Sequence, residues 1–284
     1  MEKNKFLITK VFTVPYLDSL IEKNVPESFL KCISRYVKED DEFTYGRAIS
    51  CIYEYMSSDY RNEYYYKNTI FNNLLIQKHD LHTTAALTEL PISNSKADFV
   101  MINGKGVVYE IKTDLDNFQR LQNQINDYYK VFSYVNVVVS RKQADKVKTF
   151  LKGTKVGIFE LTNSGKLVCG KKALCNRNEL SYEEMFRILR KKEFEKILLD
   201  YYGELPHVNS FEYYRECLRW MKKINIIGLQ KKIMSCLKQR TILSMDDVFE
   251  ERVPDELRFY VYFSKKYRSH YDKLDDFLNK KVEV

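Results

Sequence analysis

The chain has 284 residues, enough for one large domain or a domain with helical extensions. It is 44% hydrophobic and 30% charged with only 9 glycines and 5 prolines, which excludes a disordered or fibrous chain. The net charge of +8 favours a polyanionic partner but does not by itself identify one.

Residues 1–16 mix Lys and Glu with apolar residues and hold no continuous apolar run of the signal-peptide kind. Nor does any later run reach the ~20 apolar residues of a membrane helix. The expected location is therefore cytoplasmic, with no membrane partner. Residues 1–58 read as a helical segment. Pro26 opens a helix whose Phe29, Leu30, Ile33 and Val37 share a face, and the acidic run Glu39-Asp40-Asp41-Glu42 ends it as a solvated loop. A second helix places Ile49, Ile52, Tyr53 and Met56 together. The six cysteines lack C-x-x-C spacing and read as reduced, buried thiols.

A longer helix from about 60 to 78 carries the stripe Ile70, Phe71, Leu74 and Leu75, with Glu63 in its first turns as a surface glutamate, a helix-borne site acid being the alternative. Residues 83–92 form a strand candidate with Glu89 near its end. Residues 96–112 then read as a β-hairpin turning at Asn103-Gly104-Lys105-Gly106, because Asn and Gly tolerate the positive φ of tight hairpins. Residues 114–132 form a helix that Asp114 or Asp116 is able to cap. Phe118, Leu121, Ile125, Tyr129 and Phe132 make its apolar stripe, and Arg120, Gln124 and Tyr128 a separate one. Then come a buried strand over 134–140, a charged helix over 141–152, a strand over 156–161, and a turn at 163–166 into a short strand. Helices return at Ser181, which has capping-box spacing to Glu184; Gly203 is a stop, and further helices lie near 210–223, 226–240 and 254–278. This order predicts an α/β fold with a mixed sheet covered by helices. The division is an N-terminal helical segment over 1–58, a core over 59–176 and a C-terminal helical segment over 177–284.

The chemistry concentrates in the hairpin. Side chains alternate along a strand, so Val108, Glu110 and Lys112 face one way. Charges in a strand that otherwise looks buried are costly unless they are paired or hold a metal. Asp98 and Glu110 on neighbouring strands offer two carboxylates, with the Ile111 carbonyl as a candidate third ligand. Glu89 is a candidate further acid, with a solvated strand-end carboxylate as the alternative. Such an oxygen set suits a hard divalent cation, Mg2+. Lys112 is then placed to orient or deprotonate a water, or to stabilise developing charge.

The spacing Asp98-(x)11-Glu110-x-Lys112 resembles the motif of the PD-(D/E)xK nucleases, the restriction-endonuclease-like superfamily, and Glu110-x-Lys112 is the only acid-x-Lys triplet in the chain. The first motif is Lys-Ala-Asp instead of Pro-Asp. Gln124-Ile125-Asn126-Asp127-Tyr128 is similar to the Q-x-x-x-Y of the RecB-like branch, and the run from Tyr109 to Leu121 looks like an uncharacterised bacterial branch. The resemblance covers roughly residues 60–170. It implies a restriction-endonuclease-like sheet core, hydrolysis of DNA with Mg2+ (or Mn2+) at Asp98 and Glu110, and site roles for Lys112, Gln124 and Tyr128. A homodimer is compatible with cutting both strands.

Arg120 is a candidate phosphate contact, with pairing to Asp116 or Asp127 as the alternative. The basic run Arg187, Arg190, Lys191 and Lys192 is a candidate grip on a nucleic-acid backbone, with a solvated helix face as the alternative. The competing functional class is a nuclease-like module that binds nucleic acid or protein without catalysis.

Overall fold

The hairpin turn forms as its sequence requires: Gly104 takes φ +67, and Asn103 faces Lys105 across it. A computed structural model of the chain describes residues 2–38, 42–241, 248–267 and 270–283. The strands are β1 (Ala85–Ile92), β2 (Ser95–Asn103), β3 (Lys105–Lys112), β4 (Tyr134–Ser140), β5 (Gly157–Leu161) and β6 (Leu167–Lys171). The helices are α1 (Glu2–Val11), α2 (Val14–Glu22), α3 (Glu27–Tyr36), α4 (Tyr45–Asp59), α5 (Glu63–Ile70), α6 (Leu121–Tyr129), α7 (Ala144–Phe150), α8 (Tyr182–Arg187), α9 (Lys191–Tyr202), α10 (Ser210–Met221), α11 (Ile226–Gln239), α12 (Phe249–Arg252), α13 (Arg258–Phe263) and α14 (Asp272–Asn279). None of the described helices is long and apolar enough to cross a membrane.

The fold is α/β, with a mixed six-stranded sheet in the order β1-β2-β3-β4-β5-β6. β1, β2 and β3 pair antiparallel, as hairpin connections dictate; β3, β4 and β5 pair parallel, because α6 and α7 carry the chain back between them. Val100, Ile102 and Val108 on one sheet face pack with Leu121, Ile125, Tyr128 and Phe132 from α6 and its C-terminal end. Burying each such aliphatic or aromatic side chain contributes about 1.5–3 kcal/mol. Glu110 and Lys112 share that face of β3, so the same packing that builds the core sets two charges beneath α6.

The chain divides into two compact units that cut across the three-part division expected from sequence. One comprises residues 1–79, 162–167 and 244–284; in it α14 packs on α4 and α2, and α13 on α5, so helices from opposite chain ends form one body. The other comprises residues 80–161 and 168–243. Here α8, α9, α10 and α11 join the sheet's core instead of forming a separate appendage.

Other expectations shift locally. The helix expected from 114 begins at Leu121, because Thr113 donates both its backbone N–H and its hydroxyl to Asp116, and the Asn117 carboxamide accepts from the Gln119 N–H. Neither Asp114 nor Asp116 caps α6; Asp114 accepts from the Ser140 hydroxyl. The helix expected over 60–78 changes to π-helical winding at Phe71–Ile76, and that expected over 254–278 breaks after Phe263. Ser181 caps α8 and Gly203 ends α9 at φ +76, both as expected. Glu39, Asp40 and Asp41 lie outside the described residues, while Glu42 is exposed and paired with Lys281. None of the six cysteines is in a disulfide, and only Cys32, Cys217 and Cys236 are buried; burial pushes the Cys32 thiol up to about 12.

Candidate functional site

The site begins where the β2–β3 ladder stops. Backbone pairing runs from Asn103–Lys105 to Phe99–Tyr109 and ends there, one position short of Asp98 and Glu110. The Ile111 N–H, left without a strand partner on that side, donates to Asp98 Oδ2 at 2.7 Å. Asp98 is half-buried, and its own carbonyl accepts from the Thr88 hydroxyl at 2.8 Å. The parting strands hold two acids on one sheet face, with a side chain in place of a ladder bond.

Glu110 is 1% exposed and accepts three hydrogen bonds. Lys112 Nζ donates to its Oε1 at 2.8 Å, Gln124 Nε2 to the same oxygen at 2.6 Å, and the Tyr128 hydroxyl contacts Oε2 at 2.6 Å. Lys112 is 8% exposed and also donates to Gln124 Oε1 at 2.9 Å. The i,i+4 spacing of Gln124 and Tyr128 on α6 is what allows both to reach one carboxylate. Tyr128 lies 2.7 Å from the Lys96 carbonyl as well, so its one proton serves two acceptors. Burial, then the negative charge of Glu110, pushes the Tyr128 phenol far above its ordinary value, which keeps it a hydrogen-bond donor at any physiological pH. Gln124 and Tyr128 thus hold the Glu110 carboxylate and the Lys112 ammonium in place.

Glu89 joins Asp98 from β1. The flanking pairs Thr88–Phe99 and Leu90–Ala97 set Glu89 opposite Asp98, and a carboxylate oxygen of each lies within 4.8 Å of the other. Glu89 adopts φ +52, in the left-handed region that side chains with a Cβ rarely enter. Such a residue stores on the order of 1 kcal/mol or more of backbone strain. Its carboxylate is 3.9 Å from Lys96 Nζ. Replacing Glu89 by Gly should leave the chain more stable than replacing it by Ala, by about 1 kcal/mol, since only Gly relieves the backbone. Urea melts of the two variants check this, and equal midpoints would contradict it.

An open groove of about 720 Å³ leads to these residues. Asp98 and Gln124 line it, with Lys96, Arg120, Asn123, Asn126, Asp127 and Lys130 among its walls. Arg120 pairs with neither candidate acid. Asp116 is engaged by Thr113, and Asp127 accepts from Lys130 Nζ and the Ser95 hydroxyl, both at 2.7 Å. Burial works to raise the Asp127 carboxyl, but those two hydrogen bonds, the charge of Lys130 and the Asn94 backbone amide together outweigh it and hold it low. The sequence reading missed the wall residues Asn123, Asn126 and Lys130; their signal was the i,i+3 and i,i+4 recurrence of polar residues around Gln124. The basic run is elsewhere. None of Arg187, Arg190, Lys191 and Lys192 lines the groove; Arg187 pairs with Glu184 at 2.7 Å, and Lys191 lies 3.8 Å from Glu195.

Residues 56–257 match the family model described as bacteriophage P4 protein cII, which is more than half of the chain. The chain belongs to the bacteriophage P4 protein cII family. One relative is Protein cII of Enterobacteria phage P4, 26% identical over 181 residues that cover 61% of this chain and 66% of that protein. The chain thus spans a little under two thirds of that relative's length. No solved structure matches the chain. The P4 cII match takes in Glu89, Asp98, Glu110, Lys112, Arg120, Gln124 and Tyr128, so the whole candidate site lies in the shared family region.

Proposed function

We propose that the chain is a metal-dependent nuclease with a restriction-endonuclease-like core, hydrolysing phosphodiester bonds in DNA. The observation that carries this reading is the cluster of Glu110, Lys112, Gln124 and Tyr128, set beside Asp98 where β2 and β3 part. The order of three antiparallel strands, a helix and a parallel strand supports it, being the order that the resemblance to PD-(D/E)xK nucleases implies.

The donor set fits a hard divalent cation. Asp98, Glu110, Glu89 and the Ile111 carbonyl offer oxygen alone, without the thiolates or imidazoles that favour zinc. Carboxylate oxygens of Asp98 and Glu89 lie within 4.8 Å of each other, whereas Glu110, held by Lys112, Gln124 and Tyr128, stands outside that group. Bound among them, Mg2+ or Mn2+ supplies a Lewis acid and lowers the pKa of a coordinated water. The chain's own residues do the rest. Gln124 and Tyr128 fix both oxygens of Glu110, so that the carboxylate cannot rotate away. Lys112 balances that carboxylate and carries an ammonium beside it, bonded to Gln124, which lines the groove. Arg120 and Lys96, on the groove walls, neutralise phosphates on either side of the scissile one.

The test is cleavage of single-stranded, duplex and branched DNA by the full chain, with Mg2+ or with EDTA. Wild type should cut only with the metal. Asp98→Asn, which keeps an acceptor for the Ile111 amide, should lose cleavage by at least about a hundredfold. If wild type cuts none of the three substrates, or Asp98→Asn cuts at the wild-type rate, the nuclease reading fails; DNA binding without cleavage then favours the non-catalytic module.

A further inference from the structure

The other end of the same hairpin holds a second constellation. A cavity of about 70 Å³ opens beside the Asn103–Gly106 turn, between β3, the start of β4, the segment after β6, and α11. Three cations line it, Lys105, Arg177 and Lys231, and among the described residues no carboxylate does. None of the three forms an ion pair with a described residue, although other cations named above do, as Lys112 with Glu110, Lys130 with Asp127 and Arg187 with Glu184. The walls are held in place. Lys105 Nζ sits 4.4 Å over the ring of Tyr134, a cation–π contact between two lining residues. The floor is a closed polar network in which the Ser133 hydroxyl donates to Gln230 Oε1 at 3.0 Å and Gln230 Nε2 donates to the Val131 carbonyl at 2.8 Å.

Three like charges around one small cavity repel one another, and a bound anion removes that repulsion. A cavity of this size holds several waters, since one water needs about 10–15 Å³ on this measure, so a tetrahedral oxyanion also fits. Arg and Lys together favour phosphate, the guanidinium through paired hydrogen bonds and the ammonium as a point charge. The cavity is separate from the site at Glu110: from Lys105 to Glu110 or Lys112 is five to seven residues of extended strand, roughly 20 Å at 3.3 Å per residue. The geometry points to a phosphate-binding pocket formed by Lys105, Arg177 and Lys231. The ligand is either a free or terminal phosphate or a phosphodiester of a nucleic-acid strand.

The test uses the full chain in EDTA, so that it does not depend on cleavage. Inorganic phosphate is titrated by calorimetry. In parallel, a labelled single-stranded oligonucleotide without terminal phosphates is titrated by anisotropy at several salt concentrations. Wild type is compared with Arg177→Ala and Lys231→Ala, exposed positions whose fold is checked by circular dichroism. If inorganic phosphate binds and each substitution weakens it about tenfold, the ligand is a free or terminal phosphate. If only the oligonucleotide binds, and each substitution lowers the slope of log K against log salt by about 0.7, the ligand is a strand backbone. Either result supports the pocket. Wild type binding neither probe, or both variants binding as wild type does, overturns it.

Discussion

Glu110→Ala alone is expected to destabilise the chain by about 3–5 kcal/mol, because it leaves the Lys112 ammonium 8% exposed without its carboxylate. Glu110→Leu combined with Lys112→Met should recover most of that loss. A buried ion pair brings its own desolvation cost, and apolar residues of similar volume often replace it with little or no penalty. The single variant also strands the hydroxyl of Tyr128 and the amide of Gln124, but Tyr128 keeps the Lys96 carbonyl and Gln124 borders the open groove. Urea unfolding at constant m-value measures both variants. A double variant no more stable than Glu110→Ala would mean that the four-residue network, not the unpaired charge, carries the stability.

Lys112→Met is the corresponding experiment on activity. If the chain cuts DNA as proposed, this variant should lose about 10²–10⁴-fold in cleavage rate, the usual contribution of a positioned acid–base or charge-stabilising group. Binding of Mn2+ should persist or tighten, because the ammonium no longer competes for Glu110 Oε1. Lys112→Arg should not restore the rate if a proton is moved, since a guanidinium does not deprotonate in proteins. Wild-type turnover in Lys112→Met would remove Lys112 from the chemistry. Lost turnover together with lost metal binding would assign it to building the site.

Much of this site is legible from local pattern. Strand alternation puts Glu110 and Lys112 on one face, and i,i+4 spacing puts Gln124 and Tyr128 on one side of α6; both are short-range consequences of backbone geometry. The Asn103–Gly106 turn and the Ser181 and Gly203 helix ends are local in the same sense. What could not be read depends on distant partners. Whether α6 starts at 114 or 121 rests on Thr113 choosing Asp116. The left-handed backbone at Glu89 is invisible in a run of ordinary strand residues. The union of residues 1–79 with 244–284 needs tertiary packing, as of α14 on α4, which no motif announces. The direction in which Gln124 and Tyr128 aim also lay beyond the pattern: their spacing fixed a shared stripe but not its target.

The bond from the Ile111 amide to Asp98 has an evolutionary reading. Position 98 meets two demands at once, a charge for the groove and an acceptor for an orphaned backbone donor. A descendant that abandoned the first would still be held to the second, and asparagine would satisfy it. Among relatives, an Asp-to-Asn exchange at this position would therefore leave the sheet intact while silencing its acid. Persistence of a polar residue there testifies to architecture, and only persistence of its charge testifies to use.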